Sequence, residues 1–489
     1  MEPSKESRYK TMLSSTAILG GTQVLTGLIN AIRGKLVAVI LHAVGMGMMS
    51  LLTNAANTIQ QFALLGINFS AVRSISQANE DDRQSLALII KIVRSLILLT
   101  SISGIIITLA LSPLLAKISF NSSEYTPYFL LLSIFVFFSM MGVGESAIAQ
   151  GLRRYKLIAM SSVVPPLCGL FLSIPIYYLW GVEGIVPAMI LGSIIYFVVL
   201  RWKLQHGKER IPHYQGHLSF GTIWTEGKDI IQFGLVLMVG TLAGTLTTFL
   251  INITIQQTGS LTHVGLYQAA NAITVQYLGM IFTAMATDYY PKLASLVKNK
   301  AEEAFAYVNQ QTEIVLLIVT PLTLLTILTA PLLIRILLTR EFLQITTMVQ
   351  FIALSTIFNA FCFPLNYIAY AKGDKSYIFW IETVWGNAKN FIVIITCYYF
   401  WQLDGLGYGV LCSSVIDVFV SLTLIRYRYG FKPASVVTRL LVLMIPAGCV
   451  CLAGALLPIT AIYRYALMTG ITAVVSIYCI QQIRRRICV

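Results

Sequence analysis

The stretch Ile314–Ile334, IVLLIVTPLTLLTILTAPLLI, runs for 21 residues without an ionisable side chain. At about 1.5 Å per residue, a helix of that length covers the roughly 30 Å hydrocarbon core of a bilayer. Similar windows recur from one end of the chain to the other. We read fourteen helices, near 12–40, 47–70, 86–111, 127–149, 157–179, 184–204, 230–254, 265–288, 312–338, 345–370, 377–400, 406–425, 437–457 and 465–483. The second and eighth are interrupted by Asn and Gln.

Composition agrees. The 489 residues are 57% hydrophobic and 11% charged, against about 25% charged in soluble chains. Mean hydropathy is +0.77. A soluble enzyme, a disordered scaffold and a nucleic-acid binder are excluded. The fold expected is an all-α polytopic membrane protein with very little outside the bilayer.

The net charge of +14 is explained by the accumulation of Lys and Arg in cytoplasmic loops. With both ends placed in the cytoplasm, 27 of the 34 basic residues fall on that side. They include Arg73, Arg83, Lys91, Arg94, Arg153, Arg154, Arg201, Lys228, Lys292, Lys372, Lys375 and the terminal Arg484–Arg486. Only Arg33, Lys35, Lys117, Arg335, Arg340 and Arg464 fall outside, and Lys389 lies within a span. No signal peptide is apparent at the polar first ten residues.

An internal repeat divides the chain. Ala149–Tyr155 (AQGLRRY) resembles Ala371–Tyr377 (AKGDKSY) at an offset of 222. Trp180–Gly184 (WGVEG) resembles Trp401–Gly405 (WQLDG) at 221, and Gly47-Met48 aligns with Gly265-Leu266 at 218. An even six helices per copy sends both copies into the membrane the same way, related by a pseudo-two-fold along the membrane normal. The expected domains are an N-lobe over 1–210, a cytoplasmic loop over 211–229, and a C-lobe over 230–430. Residues 431–489 add a further helix pair and a basic tail.

The opening of each lobe carries a resemblance. Gly34-Lys35-Leu36-Val37-Ala38-Val39, then Gly45-Met46-Gly47-Met48 and an Asn-rich helix ending at Gly66, is similar to the start of Wzx-type O-antigen flippases. These belong to the multidrug/oligosaccharidyl-lipid/polysaccharide (MOP) exporter superfamily. Val264-Gly265-Leu266-Tyr267-Gln268-Ala269-Ala270, followed by Tyr290-Pro291-Lys292-Leu293, resembles the start of the second lobe. Two features depart from many relatives: His42-Ala43 stands where they carry Gly-Pro, and fourteen helices replace twelve, as in lipid II flippases. The resemblance implies flipping of undecaprenyl-diphosphate-linked oligosaccharide across the bacterial cytoplasmic membrane.

An ionisable group at mid-bilayer costs about 2.5–3.5 kcal/mol on insertion scales, so each needs a reason. Arg33 and Lys35 read either as interfacial cations snorkelling to the outer edge or as a cationic patch for the substrate diphosphate, which suits the planar guanidinium fork. Lys389 lies about 20 Å into helix eleven, as a cavity cation or half of a private ion pair. Glu382, Trp385 and Lys389 share one face at ideal helical spacing. Glu382 and Asp417 lie on consecutive antiparallel helices and are candidates for coupling H+ or Na+, or each has its own partner. Asn54, Asn57 and Gln61 form one stripe, matched by Gln268 and Asn271 in the second lobe. Such amides bind sugar hydroxyls or glue helices together. Glu145 reads as interfacial.

No Walker-type loop, metal-ligand cluster or nucleophile motif occurs, and the eight cysteines show no ligand spacing or disulfide framework. The expected protein is therefore a transporter, not an enzyme, without a bound cofactor, driven by substrate or ion gradients or by membrane potential. Expected partners are the lipid-linked oligosaccharide, membrane lipids and other polysaccharide-assembly proteins, with the chain itself monomeric. The rival readings are a lipid II flippase and an organic-cation or multidrug exporter. The cations Arg33, Lys35 and Lys389 argue against the exporter.

Overall fold

A computed structural model describes residues 5–81, 83–206, 220–276, 279, 282, 285, 289–290, 292–297, 301–457 and 460–487. The described residues are helical throughout, with short connections and no strand. Among the described residues, ten helical segments are long and apolar enough to cross a membrane. A single helix of 44 residues, such as Gly21–Leu64, would measure about 66 Å, twice what a bilayer needs. The excess is resolved by non-helical residues that divide long segments in two.

The first compact unit spans Met1–Gln257. Helix α1 (Lys5–Leu64) breaks at His42, with φ 57° and ψ −170°. A short α2 (Ile67–Asp81) precedes α3 (Arg83–Phe120), α4 (Thr126–Gly151), α5 (Tyr155–Trp180), α6 (Ile185–His206) and α7 (Phe220–Thr258). Between α1 and α2, Gly66 takes φ 68° and α7 closes on it. A Cβ at Gly66 would lie 2.0 Å from the Gly234 carbonyl oxygen, so only glycine fits. The repeat register counts α7 as the opening helix of the second lobe, whereas its residues through Gln257 fall within the first compact unit.

The second unit spans Thr258–Val489. Its elements are α8 (Leu261–Asn271), α9 (Ala301–Leu337), α10 (Thr346–Lys372), a π-helical stretch Ile378–Trp385 leading into α11 (Gly386–Tyr429), α12 (Ser435–Leu456) and α13 (Ala461–Ile487). Helix α11 breaks at Gln402 and doubles back: a Cβ on Gly409 would lie 2.6 Å from the Ile394 Cα. The core joins α9 and α10 to the additional pair. Leu316, Ile327, Phe361, Met444, Cys451 and Cys479 form one buried cluster, and Thr320 donates to the Met444 sulfur at 3.2 Å. The expected eighth helix beyond 276, apart from residues 279, 282 and 285, and the inter-lobe loop through 219 lie outside the described residues.

Large apolar side chains face outward in numbers that water would not tolerate, among them Phe171 (71% exposed), Leu179 (73%) and Val474 (69%). Lipid is the solvent that such a surface fits. The chain is a multi-pass membrane protein.

The same turn recurs at the repeat spacing. Gly181 has φ 55° and ψ −129°, and Gln402, 221 residues on, has φ 49° and ψ −129°. Arg154 N–H bonds the Ala149 carbonyl at 3.0 Å, as Asp374 N–H bonds that of Ala369, an offset of 220, two short of the 222 read from the sequence motif. Both hairpins were anchors of the sequence repeat. The Gly181/Gln402 turn preserves its conformation at the sequence register, while the other turn keeps its conformation with the residues shifted by two.

Candidate functional site

In the first unit, Arg33 lies nine residues before the break at His42, about 14 Å along the helix. It lines a cavity of about 450 Å³ together with Ser139, Ser161, Ser162, Ser193 and Tyr196. Its Nε is buried with no hydrogen-bond partner, a state that costs free energy unless a ligand or water completes it. Lys35, two residues on, is exposed. A two-residue step on a helix turns side chains roughly 200° apart, so Lys35 does not join Arg33 in this cavity.

Asn54, Asn57 and Gln61 are all half-buried, as one stripe requires. Asn54 Nδ2 donates to Ser50 Oγ at 3.2 Å, and buried Asn252 of α7 donates to the same hydroxyl at 3.3 Å. Gln61 Oε1 accepts from Thr241 at 3.4 Å. Sequence reasoning passed over Gln60. Its Oε1 accepts from Ser139 of the Arg33 cavity at 3.1 Å, and its Nε2 is buried without a partner. The doubled Gln60-Gln61 was the available signal.

Sequence reasoning also missed a clamp on Glu145, which it placed at the interface. The Glu145 carboxylate is 2% exposed and is gripped by two arginines. Arg94 donates from Nε at 3.0 Å and from Nη2 at 2.8 Å, and Arg201 donates from Nη1 at 2.5 Å. Two cations on one anion leave this buried node net positive. It ties α3, α4 and α6 together.

In the second unit, Lys389 is 4% exposed. Its Nζ lies 2.5 Å from Asp417 Oδ1 and 3.1 Å from the Ser413 carbonyl oxygen. Ser413 Oγ in turn bonds Asn390. Lys389 thus meets Asp417, on the helical segment beyond the Gln402 break. Glu382 has a different partner: its Oε2 accepts from Tyr370 at 2.9 Å, while Oε1 is buried without one. The face shared by Glu382, Trp385 and Lys389 under ideal spacing is split, since Trp385 is 44% exposed and Lys389 buried. The π-helical turns at Ile378–Trp385 hold more residues per turn and shift the register. Gln268 and Asn271 are both half-buried on α8. The described residues contain no group of side chains suited to a metal ion, and seven described cysteines are free thiols.

Outside the spans, Asp374 caps the turn before the π-helix. It accepts from Tyr377 N–H at 3.1 Å, from Arg428 at 2.6 and 2.8 Å, and from the Tyr429 hydroxyl at 2.7 Å. Burial pushes its carboxyl up, but these donors outweigh burial and hold it below the ordinary 3.8.

Bilayer-length helices thus hold a cation in a hydroxyl-lined cavity of one unit and a buried ion pair in the other. The chain belongs to the polysaccharide biosynthesis protein family, whose model matches residues 36–347. Its fold is that of the MOP-superfamily transporters. The lipid II flippase MurJ in an inward closed conformation is similar at a TM-score of 0.70 and 11% identity, covering 98% of this chain and 100% of that one. The eukaryotic MATE transporter AtDTX14 is similar at 0.57 and 13%, covering 88% and 98%. A MOP-superfamily transporter from Pyrococcus furiosus is similar at 0.59 and 14%, covering 87% and 96%. No curated protein matches the sequence. The Wzx-type resemblance is thus supported at the level of family and fold.

Proposed function

We propose that this protein carries undecaprenyl-diphosphate-linked oligosaccharide repeat units, of O-antigen or another surface polysaccharide, from the cytoplasmic to the outer leaflet of the bacterial inner membrane by alternating access. The observation that carries the reading is Arg33, a cation with a buried, unpartnered Nε on a cavity otherwise lined by hydroxyls and apolar groups. A diphosphate entering the membrane loses hydration, and a guanidinium fork offsets that loss. Gln60, Asn54, Asn57 and Gln61 on the adjoining helix supply amides for sugar hydroxyls, with Gln268 and Asn271 as their counterparts in the second unit. The family match to polysaccharide biosynthesis proteins agrees.

Coupling to H+ or Na+ is assigned to the pair Glu382 and Asp417. Lys389 already neutralises Asp417. Glu382, with one buried oxygen left over, is therefore the better proton site. Both termini are cytoplasmic on the charge distribution, and the chain works as a monomer alongside other polysaccharide-assembly proteins. Helices α12 and α13, packed against α9 and α10, flank a path for the polyprenyl tail.

A second reading, a lipid II flippase, is favoured by the neighbour whose fold covers 98% of this chain. An organic-cation exporter would want an acidic cavity, and no carboxylate lines that of Arg33. Deletion in the native host tests the proposal. Loss of a surface glycan, with its lipid-linked unit accumulating on the cytoplasmic side, is expected. Arrest of peptidoglycan synthesis would favour lipid II, and unchanged glycans with raised drug sensitivity would favour an exporter.

A further inference from the structure

A second cavity of the first unit, about 400 Å³, lies at the end that bears Arg73, Arg83, Lys91 and Lys228, the cytoplasmic end on the charge reading. Its volume is within the roughly 300–1,000 Å³ of small-ligand sites. Helix α2 forms one wall. It buries Ile67, Ala71, Ile75 and Ala78 on one face and turns Arg73 and Gln77 outward, the pattern of a helix lying in a membrane interface. The N-terminal part of α7 forms another wall.

Two opposite charges line this cavity without meeting. The exposed Arg73 guanidinium sits over the Phe233 ring, 4.6 Å from its centroid, and has no ion pair or hydrogen bond among the described residues. Asp229, one turn before Phe233, lines the same cavity with no ion pair or hydrogen bond among the described residues. Ser74, Gln77 and Ser85 add polar groups that also have no partner among the described residues. Arg73 and Asp229 are both exposed at this cavity, so water screens their mutual attraction and both stay open to a guest. One cation and one anion on the same wall complement a guest that carries both charges.

We propose that this cavity binds the zwitterionic headgroup of an ethanolamine phospholipid from the cytoplasmic leaflet. The phosphate takes the guanidinium fork of Arg73 in two charge-assisted hydrogen bonds, and the primary ammonium donates to the Asp229 carboxylate. Ser74, Gln77 and Ser85 hydrogen-bond the remaining phosphate oxygens. The acyl chains pass to the lipid beside α2. This site is separate from the Arg33 cavity and does not depend on which substrate is flipped.

Native mass spectrometry of the full chain in detergent, titrated with phosphatidylethanolamine, phosphatidylglycerol, phosphatidylcholine or a polyprenyl diphosphate, tests this. One phosphatidylethanolamine should be retained in preference to the others, because phosphatidylglycerol lacks the ammonium and the choline headgroup cannot donate to Asp229. Arg73→Ala and Asp229→Asn should each weaken that retention about tenfold or more, the size of one charge-assisted hydrogen bond. Asp229→Asn is isosteric at an exposed position and leaves folding intact, so its result stands even if Arg73→Ala is unstable. Equal retention of all phospholipids, or phosphatidylethanolamine binding unmoved by Asp229→Asn, would overturn the assignment. So would tighter binding of polyprenyl diphosphate that improves in Asp229→Asn, since that marks a pure anion site.

Discussion

Lys389 and Asp417 form an asymmetric ion pair: Nζ and Oδ1 are 2.5 Å apart, with the lysine side chain 2% exposed and the aspartate 34%. On the reading that the open side of Asp417 faces the water-filled transport path, the carboxylate can be rehydrated if its partner is lost, whereas the ammonium cannot. Removing one partner of a buried pair costs about 3–5 kcal/mol, because the other charge is left stranded. Asp417→Ala should therefore destabilise by about 3 kcal/mol or more, and Lys389→Ala by distinctly less. The double variant should recover most of the loss. Thermal melting in detergent reads all three. Equal losses for the two single variants would refute the asymmetry.

Arg33→Ala should leave abundance and melting near normal, since no protein group depends on its Nε. Export of the glycan should fall about tenfold or more, the size of one charge-assisted contact. Arg33→Lys should retain part of the activity, because charge is kept while the fork is lost. Normal export by a stable Arg33→Ala protein would remove Arg33 from the substrate path.

Gln402 holds φ 49° and ψ −129° where the first copy of the repeat has Gly181 in nearly the same conformation. A side chain in this sparsely populated region costs about 1–3 kcal/mol, and glycine returns part of any gain as unfolded-chain entropy. Gln402→Gly should raise the melting temperature modestly. Gly181→Gln should lower it. A lower melting temperature for Gln402→Gly would contradict the shared turn.

Asp374 gives a pH signature outside the membrane. Its folded-state carboxyl is held below 3.8, so its contribution to stability is complete above that value and is lost as pH falls through the lower, folded value. The melting difference between wild type and Asp374→Asn should be constant from about pH 5 to 7 and shrink below about pH 4. A difference that grows on acidification would contradict the assignment.

The helices were legible because hydropathy and length are local properties. Among the described residues, the breaks at His42, Gly181 and Gln402 fall between the helices expected there. The repeat was legible for the same reason, through short motifs at hairpin turns. Side-chain partners were not. Glu145 and Arg94 are 51 residues apart, and nothing in either segment announces the other. The face expected to unite Glu382 with Lys389 assumed 3.6 residues per turn, and the π-helical Ile378–Trp385 invalidates that spacing. Lys35 shares a motif with Arg33, but a helix turns neighbours two apart to different sides. The placement of the two lobes about an axis along the membrane normal remains the expectation set by the even number of helices per repeat.

The central claim, movement of a diphosphate-linked oligosaccharide, is tested most directly in proteoliposomes. A fluorescent undecaprenyl-diphosphate oligosaccharide is placed in both leaflets, and a membrane-impermeant reductant quenches the outer one. The account predicts that the purified protein renders the inner pool accessible, that Arg33→Ala largely abolishes this, and that Arg33→Lys restores part of it. Quenching that stops at the outer leaflet, as in protein-free vesicles, would contradict it.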